Sequence, residues 1–230
     1  LRTSEWVINM NEVGILEELD EQIELNKEYL VVKRGIDIVI GIIGCTLLIP
    51  LTIIIKIAYM LTGDFNSIFY RQVRVGKNGK LIKIYKYRSM VKNADVILKE
   101  LLKQKKYRDQ WKKNQKLDDD PRITKVGKII RKLSLDEVPQ FINVLNGDMS
   151  FIGPRPLVPG ELDQHKGNHK IYESVRPGIT GWWACNGRSA TDYEERLELE
   201  YYYIKNISFK LDVMCIFKTI KALITREGAK

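Results

Sequence analysis

Cysteine and histidine are both scarce, with three and two among 230 residues. Three cysteines in a chain of this length exclude a disulfide scaffold. Cys45, Cys185 and Cys215 form no C-x-x-C pair, which excludes a zinc knuckle and a thioredoxin-like motif. His165 and His169 have a spacing that can serve zinc, but a glycine between them disfavours a helix. We interpret both histidines as surface residues. The sequence also contains no Walker A loop, no Rossmann glycine triplet and no G-x-S-x-G elbow.

Charged side chains are absent from Ile38 to Ile55, a run of 18 residues. A run of this length is the usual signal of a membrane helix. A buried core helix is the weaker alternative, because core helices this long usually keep a polar face. A secretory signal peptide fits poorly, because an acidic segment of more than 30 residues precedes the run.

Pro50 lies inside the apolar run, where it removes a backbone donor and bends or breaks a helix. Lys33 and Arg34 precede the run, and residues 71–132 after it hold 21 lysines and arginines against six acids. Because positive flanks favour the cytoplasmic side, a straight span would place one flank on the wrong side. We therefore favour a re-entrant helix–break–helix anchor, with Lys33, Arg34 and Pro50 as its anchoring residues.

Three segments follow from this pattern. We expect residues 1–31 to form an acidic helix or linker, residues 32–62 the re-entrant membrane helix, and residues 63–230 a cytoplasmic domain.

The formal net charge of the chain is +9. The basic block at 71–132 requires an anionic partner, which composition alone leaves open among nucleic acid, an anionic membrane surface and phosphorylated substrates.

The cytoplasmic domain is expected to be mainly α with one β-hairpin, an α+β class. Residues 68–87 predict the hairpin, because Asn-Gly is the strongest short hairpin signal. Residues 91–113 predict a helix with a leucine face and a lysine face. Residues 209–226 predict an amphipathic helix, which lies either on the core or in the membrane interface.

Asp136 and Glu137 are the first candidates for chemistry. Ser134-x-x-Glu137 fits a capping box in front of an apolar helix. A helix start also binds phosphate and keeps a carboxylate ionised. With Arg131 upstream, an ionised Asp136 is a candidate for attacking phosphorus or holding a metal, and the capping interpretation does not compete with that role.

Arg155 lies between two prolines in a rigid turn, so the direction of its guanidinium is set at little entropic cost. A fixed fork of donors suits a pair of phosphate oxygens; the alternative is a structural turn with an exposed arginine. Arg176 and Arg188 accompany further glycine-containing turns and are candidates for holding a diphosphate.

Six stretches follow one another along the chain: KRGIDIVIG, YRQVRVGKNGK, IYKYRSM, DPRITKVGKIIRKLSLDEVPQFINVLNGDMSFIGPRP, RPGITGW and NGR. In this order they resemble the bacterial sugar transferases known as monotopic phosphoglycosyl transferases or polyprenyl-phosphate hexose-1-phosphate transferases. The resemblance covers about residues 32–228, and its long LDEVPQ…GPRP block is highly specific.

The resemblance implies a re-entrant membrane helix with a small, mostly helical catalytic domain on the cytoplasmic face of the bacterial inner membrane. The implied reaction moves a hexose-1-phosphate from a UDP-sugar to undecaprenyl phosphate, releases UMP and requires Mg²⁺. Asp136 would form a phosphosugar-aspartyl intermediate and help bind Mg²⁺, with Glu137 as its dyad partner. The implied phosphate-binding arginines are Arg131, Arg155, Arg188 and Arg88.

Two departures from the family pattern affect the anchor and the pocket. Ile49 precedes Pro50 where the family often has serine, and GWWACNGR stands where GWAQVNGR is common.

UDP-galactose and UDP-glucose are the favoured donors. Membrane lipid is an expected partner and nucleic acid is not an expected one. A homodimer is compatible with the sequence. The expected products are lipid-linked sugars for exopolysaccharide, capsule, O-antigen or S-layer glycan. A non-catalytic module that binds anionic lipid or nucleic acid through its basic block is the alternative.

Overall fold

The computed structural model describes residues 25–114, 117–187 and 191–225. The predicted acidic segment 1–31 lies largely outside the described residues, and Arg188 lies outside them as well. The described part is mainly helical with a hairpin, so the predicted α+β class is confirmed. Its helices are α1 Lys27–Leu61, α2 Ala94–Leu101, α3 Lys105–Asn114, α4 Lys125–Lys132, α5 Phe141–Asn146, α6 Glu161–Gln164, α7 His169–Tyr172, α8 Trp182–Asn186, α9 Tyr193–Lys205 and α10 Phe209–Thr225. Its strands are β1 Phe69–Val75, β2 Leu81–Tyr87, β3 Ser150–Ile152 and β4 Gly178–Thr180.

Helix α1 is the one helix in the described ranges that is long and apolar enough to cross a membrane. It begins five residues before the predicted start, because the side chain of Asn26 caps it by accepting a hydrogen bond from the Tyr29 amide at 3.1 Å. The helix includes Pro50 in its interior. A break at this proline stays a prediction.

One stripe of α1 packs against the rest of the protein along nearly the whole helix. Near its start, Lys33 forms an ion pair with Asp212 of α10 at 2.6 Å. Near its end, the Tyr59 hydroxyl donates to the carbonyl oxygen of Arg88. Between these points the buried residues of the stripe are Asp37, Gly41, Gly44, Leu48 and Ile55. The opposite face exposes apolar side chains: Val39, Ile42, Ile43, Leu47, Ile49, Ile53, Ile54 and Ile57.

Two glycines allow α5 to approach α1 closely. A Cβ atom at Gly44 would lie 2.3 Å from the Phe141 ring, and one at Gly41 would lie 2.7 Å from Leu145. Arg34 fixes the C-terminal end of α5, because its guanidinium donates to the carbonyl oxygens of Val144 and Leu145. The segment that carries Asp136 and Glu137 leads directly into α5, so these contacts attach it to α1.

The predicted hairpin is confirmed. β1 and β2 are antiparallel, with Phe69 opposite Tyr87 and Val75 opposite Leu81. Asn78 and Gly79 at the turn both have positive φ, 56° and 72°. This conformation is the one that Asn-Gly adopts most easily.

The predicted helix over 91–113 is instead two helices, α2 and α3, separated at residues 102–104. The Leu102 amide donates to the carbonyls of Glu100 and Leu98 and closes α2 there. The C-terminal helix α10 is present as predicted. Its Leu211 and Cys215 are buried, whereas Phe217 and Ile220 are exposed. One face of α10 therefore packs on the core, as the first predicted placement requires. The other face is exposed, and its contact with the membrane interface stays a prediction.

Candidate active site

Asp136 and Glu137 lie in a 3₁₀ turn, Leu135–Gln140, that joins α4 to α5. The predicted capping box is wrong, because the side chain of Ser134 makes no capping hydrogen bond. Ser134 has φ of 54°, and its amide donates to the Arg131 carbonyl at 3.0 Å. It therefore closes the last turn of α4, and the chain changes direction before the two acids.

Glu137 is held by a lysine that the sequence analysis missed. The Lys86 ammonium, at the end of β2, lies 3.0 Å from Glu137 Oε1. Burial raises the pKa of Glu137, but Lys86, followed by Arg155 and Arg74, outweighs burial and holds that pKa below its ordinary value. Glu137 is therefore a stable anion. Lys86 stands two residues before Arg88 in the IYKYRSM stretch, which was the signal available in the sequence.

The pKa of Asp136 shifts in the opposite direction. Burial and then the adjacent Glu137 charge raise it, and Lys86 and Arg131 offset only part of that rise. The predicted helix terminus would favour the charged form of Asp136, and this prediction is wrong. A half-buried pair of adjacent acids, one held as an anion and the other with a raised pKa, is typical of catalytic carboxylates.

Two of the predicted arginines, Arg131 and Arg155, contribute positive charge to this pair. The Arg131 Nε donates to the Ser89 hydroxyl at 2.8 Å, while the side chain remains exposed. The Arg131 charge acts on Asp136 and the Arg155 charge on Glu137. The structure therefore brings two arginines and one lysine around the two acids, as a site for phosphate groups requires.

Arg88 is placed differently from the prediction. Its Nε donates to the Ser67 carbonyl, one terminal nitrogen to the Met90 carbonyl, and the other to Asp64, at 2.7 to 2.9 Å. The guanidinium also lies 4.5 Å from the centre of the Tyr59 ring. All three nitrogens thus have acceptors within the protein, and Arg88 connects β2 to the end of α1.

Arg155 has a fixed backbone and an exposed side chain. Its amide donates to Glu200 Oε1 at 2.9 Å, and its carbonyl accepts a hydrogen bond from the Tyr172 hydroxyl at 3.0 Å. The guanidinium is exposed and lies 5.5 Å from the centre of the Trp183 ring. The predicted rigid turn is present, and long-range contacts as well as the prolines fix it.

Arg176, the diphosphate candidate that lies within the described residues, has a structural contact instead. The Arg176 Nε donates to the Gly147 carbonyl at 2.8 Å, which attaches β4 to the end of α5. Arg74, which the sequence analysis did not select, is buried beside Arg155, Glu161 and Glu137. Burial and the Arg155 charge lower the pKa of Arg74.

The acid pair matches one way in which proteins hold Mg²⁺. Residues 25–114, 117–187 and 191–225 contain no group of three or more acidic, histidine or cysteine side chains suited to a metal. Mg²⁺ in nucleotide enzymes is commonly bound by one or two carboxylates, with substrate phosphates and water completing its coordination. Asp136 and Glu137 are hard oxygen donors of this kind, so the residues present fit a magnesium ion that arrives with a phosphorylated substrate.

The sequence of this chain is similar to a family of known proteins. Residues 28–226 match the bacterial sugar transferase family. The undecaprenyl-phosphate galactose phosphotransferase of Salmonella typhimurium is 44% identical over 198 residues, which cover 86% of this chain and 41% of that protein. The exopolysaccharide production protein ExoY of Sinorhizobium fredii is 39% identical over 198 residues, covering 86% and 87%.

A third relative is named for a different sugar, N-acetylgalactosamine. The UDP-N-acetylgalactosamine-undecaprenyl-phosphate N-acetylgalactosaminephosphotransferase of Aeromonas hydrophila is 39% identical over 208 residues, covering 88% of this chain and 46% of that protein. The chain belongs to the bacterial sugar transferase family, as its motifs predicted. It spans about two fifths of the length of the Salmonella relative.

Proposed function

We propose that this protein transfers a hexose-1-phosphate from a UDP-sugar to undecaprenyl phosphate and releases UMP. The observation that carries the proposal is the acid pair Asp136–Glu137 with Lys86, Arg131 and Arg155 around it, in a chain of the bacterial sugar transferase family. A non-catalytic surface module would not need two carboxylates in such different electrostatic environments.

The reaction proceeds in two displacements at one phosphorus atom. The Asp136 carboxylate attacks the phosphorus attached to the sugar, the bond between that phosphorus and the bridging oxygen breaks, and UMP leaves with the electron pair. A phosphate oxygen of undecaprenyl phosphate then attacks the same phosphorus, and the Asp136 carboxylate departs unchanged. The covalent intermediate lets a soluble donor and a membrane acceptor use one site in turn.

The remaining side chains position the substrate and neutralise charge, which is most of what phosphoryl transfer requires. Arg131 and Arg155 hold phosphate oxygens through their exposed guanidinium groups. Lys86 keeps Glu137 ionised and fixed beside Asp136. Asp136 and Glu137 would hold Mg²⁺, which would neutralise phosphate charge during the transfer.

The anchor is re-entrant, entering and leaving the membrane on the cytoplasmic side. Lys33 and Tyr59 both contact the catalytic domain, although 26 residues, or about 39 Å of helix axis, separate them. A hydrocarbon layer of about 30 Å would divide these two contacts if α1 crossed it straight. The exposed isoleucine face supports contact with lipid chains instead.

Cysteine labelling at both ends of α1 tests this topology. Glu28→Cys and Thr62→Cys are placed one at a time in a variant whose three native cysteines are replaced by serine. In inner-membrane vesicles of defined orientation, each is expected to react with a membrane-impermeant maleimide from the cytoplasmic side only. Modification of the two positions from opposite sides would show that α1 spans the membrane.

Galactose is the favoured sugar, because the Salmonella relative is named as a galactose phosphotransferase. Glucose is the next donor to test, followed by N-acetylated sugars. The product would be a lipid-linked sugar that begins a surface glycan, and the name of ExoY favours an exopolysaccharide.

UMP release from a set of UDP-sugars, with undecaprenyl phosphate and Mg²⁺, tests the proposed function. Wild-type protein is expected to release UMP with at least one sugar, and Asp136→Asn is expected to release none because an amide cannot act as the nucleophile. Asp118→Asn, an exposed acid on a neighbouring turn, is the matched control and should retain full activity. Near-normal turnover by Asp136→Asn would refute the assignment.

A further inference from the structure

Two side chains distant in sequence hold the backbone of Arg155 on both sides. Glu200 of α9 accepts the Arg155 amide at 2.9 Å, and the Tyr172 hydroxyl of α7 donates to the Arg155 carbonyl at 3.0 Å. Both side chains are buried, whereas the Arg155 guanidinium is exposed. The peptide that carries the substrate-facing arginine is therefore fixed from the interior of the protein.

A buried glutamate is an unfavourable hydrogen-bond acceptor for this amide. It is 1% exposed, and its Oε2 atom has no hydrogen-bond partner within the described ranges. A buried carboxylate with an unsatisfied oxygen is unfavourable, and a well-packed apolar residue would usually serve stability at least as well. The neighbouring charges of Arg196 and Arg155 offset only part of the effect of burial. Stability alone does not explain a glutamate at this position.

The surroundings of Glu200 also control the Arg155 side chain. Arg196, one turn before Glu200 on α9, lies 4.9 Å from the centre of the Trp183 ring, and Arg155 lies 5.5 Å from the same ring. Trp183 is itself fixed, because its indole nitrogen donates to Thr191 at 2.8 Å. The α8–α9 region thus contacts both the amide and the guanidinium of Arg155.

We propose that Glu200 is a positioning residue for the reaction: through the Arg155 amide, and with Tyr172 on the other side, it sets where the Arg155 guanidinium meets the diphosphate of the donor. The proposal rests on the proposed function, which makes Arg155 a phosphate-binding residue. Glu200 touches no substrate, so its effect must pass through Arg155. A small displacement of a group that positions phosphate costs up to about a hundredfold in rate.

A double-mutant cycle tests this coupling in the full chain. Glu200→Ala and Arg155→Ala, separately and together, are compared for UDP affinity by calorimetry and for UMP release from UDP-galactose. Each single change is expected to weaken UDP binding and kcat/KM by about ten- to hundredfold. The double variant should be no worse than Arg155→Ala, because nothing remains to be positioned. Glu200→Gln keeps an acceptor for the amide and should remain within about threefold of wild type.

Controls separate positioning from general damage. Glu198→Ala removes an exposed glutamate from the same helix and should change neither measurement. Tyr172→Phe removes the second contact to Arg155, together with the interaction of the hydroxyl with Arg196, and it tests the proposal even if Glu200→Ala does not fold. Additive effects in the cycle, or full UDP affinity in both Glu200→Ala and Tyr172→Phe, would overturn the proposal. Because UDP binding is read without turnover, its cycle can succeed or fail independently of the proposed reaction.

Discussion

Glu200 makes the stability of this protein depend on pH, and Glu200→Gln isolates the effect. Burial raises the pKa of Glu200 from 4.5 to about 7 in the folded protein, against the lowering effect of the Arg155 amide and of Arg196. Between these two values the folded state holds a proton that the unfolded state has lost. Stability from this group is therefore present below about pH 4.5 and is lost as the pH rises through about 7.

The size of the effect follows from the pKa difference. One unit corresponds to about 1.4 kcal/mol, so the shift of Glu200 corresponds to about 3 kcal/mol, most of it between pH 5 and pH 8. Glutamine cannot lose a proton, so Glu200→Gln should gain this amount relative to wild type as the pH rises. For a domain of this size, the melting temperatures should diverge by roughly 6 to 12 °C.

Thermal unfolding followed by tryptophan fluorescence, in one detergent at several pH values, measures this difference. His169, whose pKa is raised by hydrogen bonds to Glu173 and Asp163, also loses stability as the pH rises, but it does so equally in both proteins and cancels. A stability difference between wild type and Glu200→Gln that stays constant from pH 5 to pH 8 would show that Glu200 does not have the raised pKa in the folded protein. A wild type that becomes more stable relative to the variant as the pH rises would show the same.

Three further predictions concern the acid pair and the packing around it. Lys86→Met should lower the rate of UMP release by about ten- to hundredfold, because Lys86 keeps Glu137 ionised and fixed beside Asp136. The free energy of unfolding should change by no more than about 1 kcal/mol, because the ion pair with Glu137 is partly exposed. Unchanged turnover would contradict a role for Lys86 in the reaction. Gly127→Ala should lose about 3 kcal/mol or more in denaturant unfolding, because the new Cβ would lie 1.9 Å from the Ser89 carbonyl oxygen. Gly35→Ala has nothing within 4 Å and is the control, so equal stabilities would contradict the packing argument. Excess chelator should stop UMP release and added Mg²⁺ should restore it, whereas full activity in chelator would exclude the proposed metal requirement.

Features set by local chemistry were predicted well from the sequence. The apolar run gave the long helix α1, and Asn78–Gly79 gave the hairpin, because each depends on residues close together in the chain. The acid pair was selected from its place before an apolar helix, and the roles of its two members came from the resemblance. The bounds of the helices were less accurate, as the early start of α1 at Lys27 shows.

Features that depend on contacts between distant segments were missed. Lys86 and Glu137 are 51 residues apart, and Glu200 and Arg155 are 45 apart, so no local pattern connects either pair. The fold also reverses the expected environment of Asp136, since burial beside Glu137 raises its pKa. Ser134 failed as a cap because its left-handed backbone belongs to the end of the preceding helix.

Trapping the covalent intermediate tests whether Asp136 is the nucleophile. Wild-type protein is mixed with UDP-galactose and Mg²⁺ without undecaprenyl phosphate, quenched in acid and digested. Its peptides are examined by mass spectrometry, with the other UDP-sugars tested in parallel. We expect one hexose phosphate on the peptide that contains Asp136, lost again when undecaprenyl phosphate is added before the quench. Release of UMP with no adduct on Asp136, or with the adduct on another residue, would contradict it.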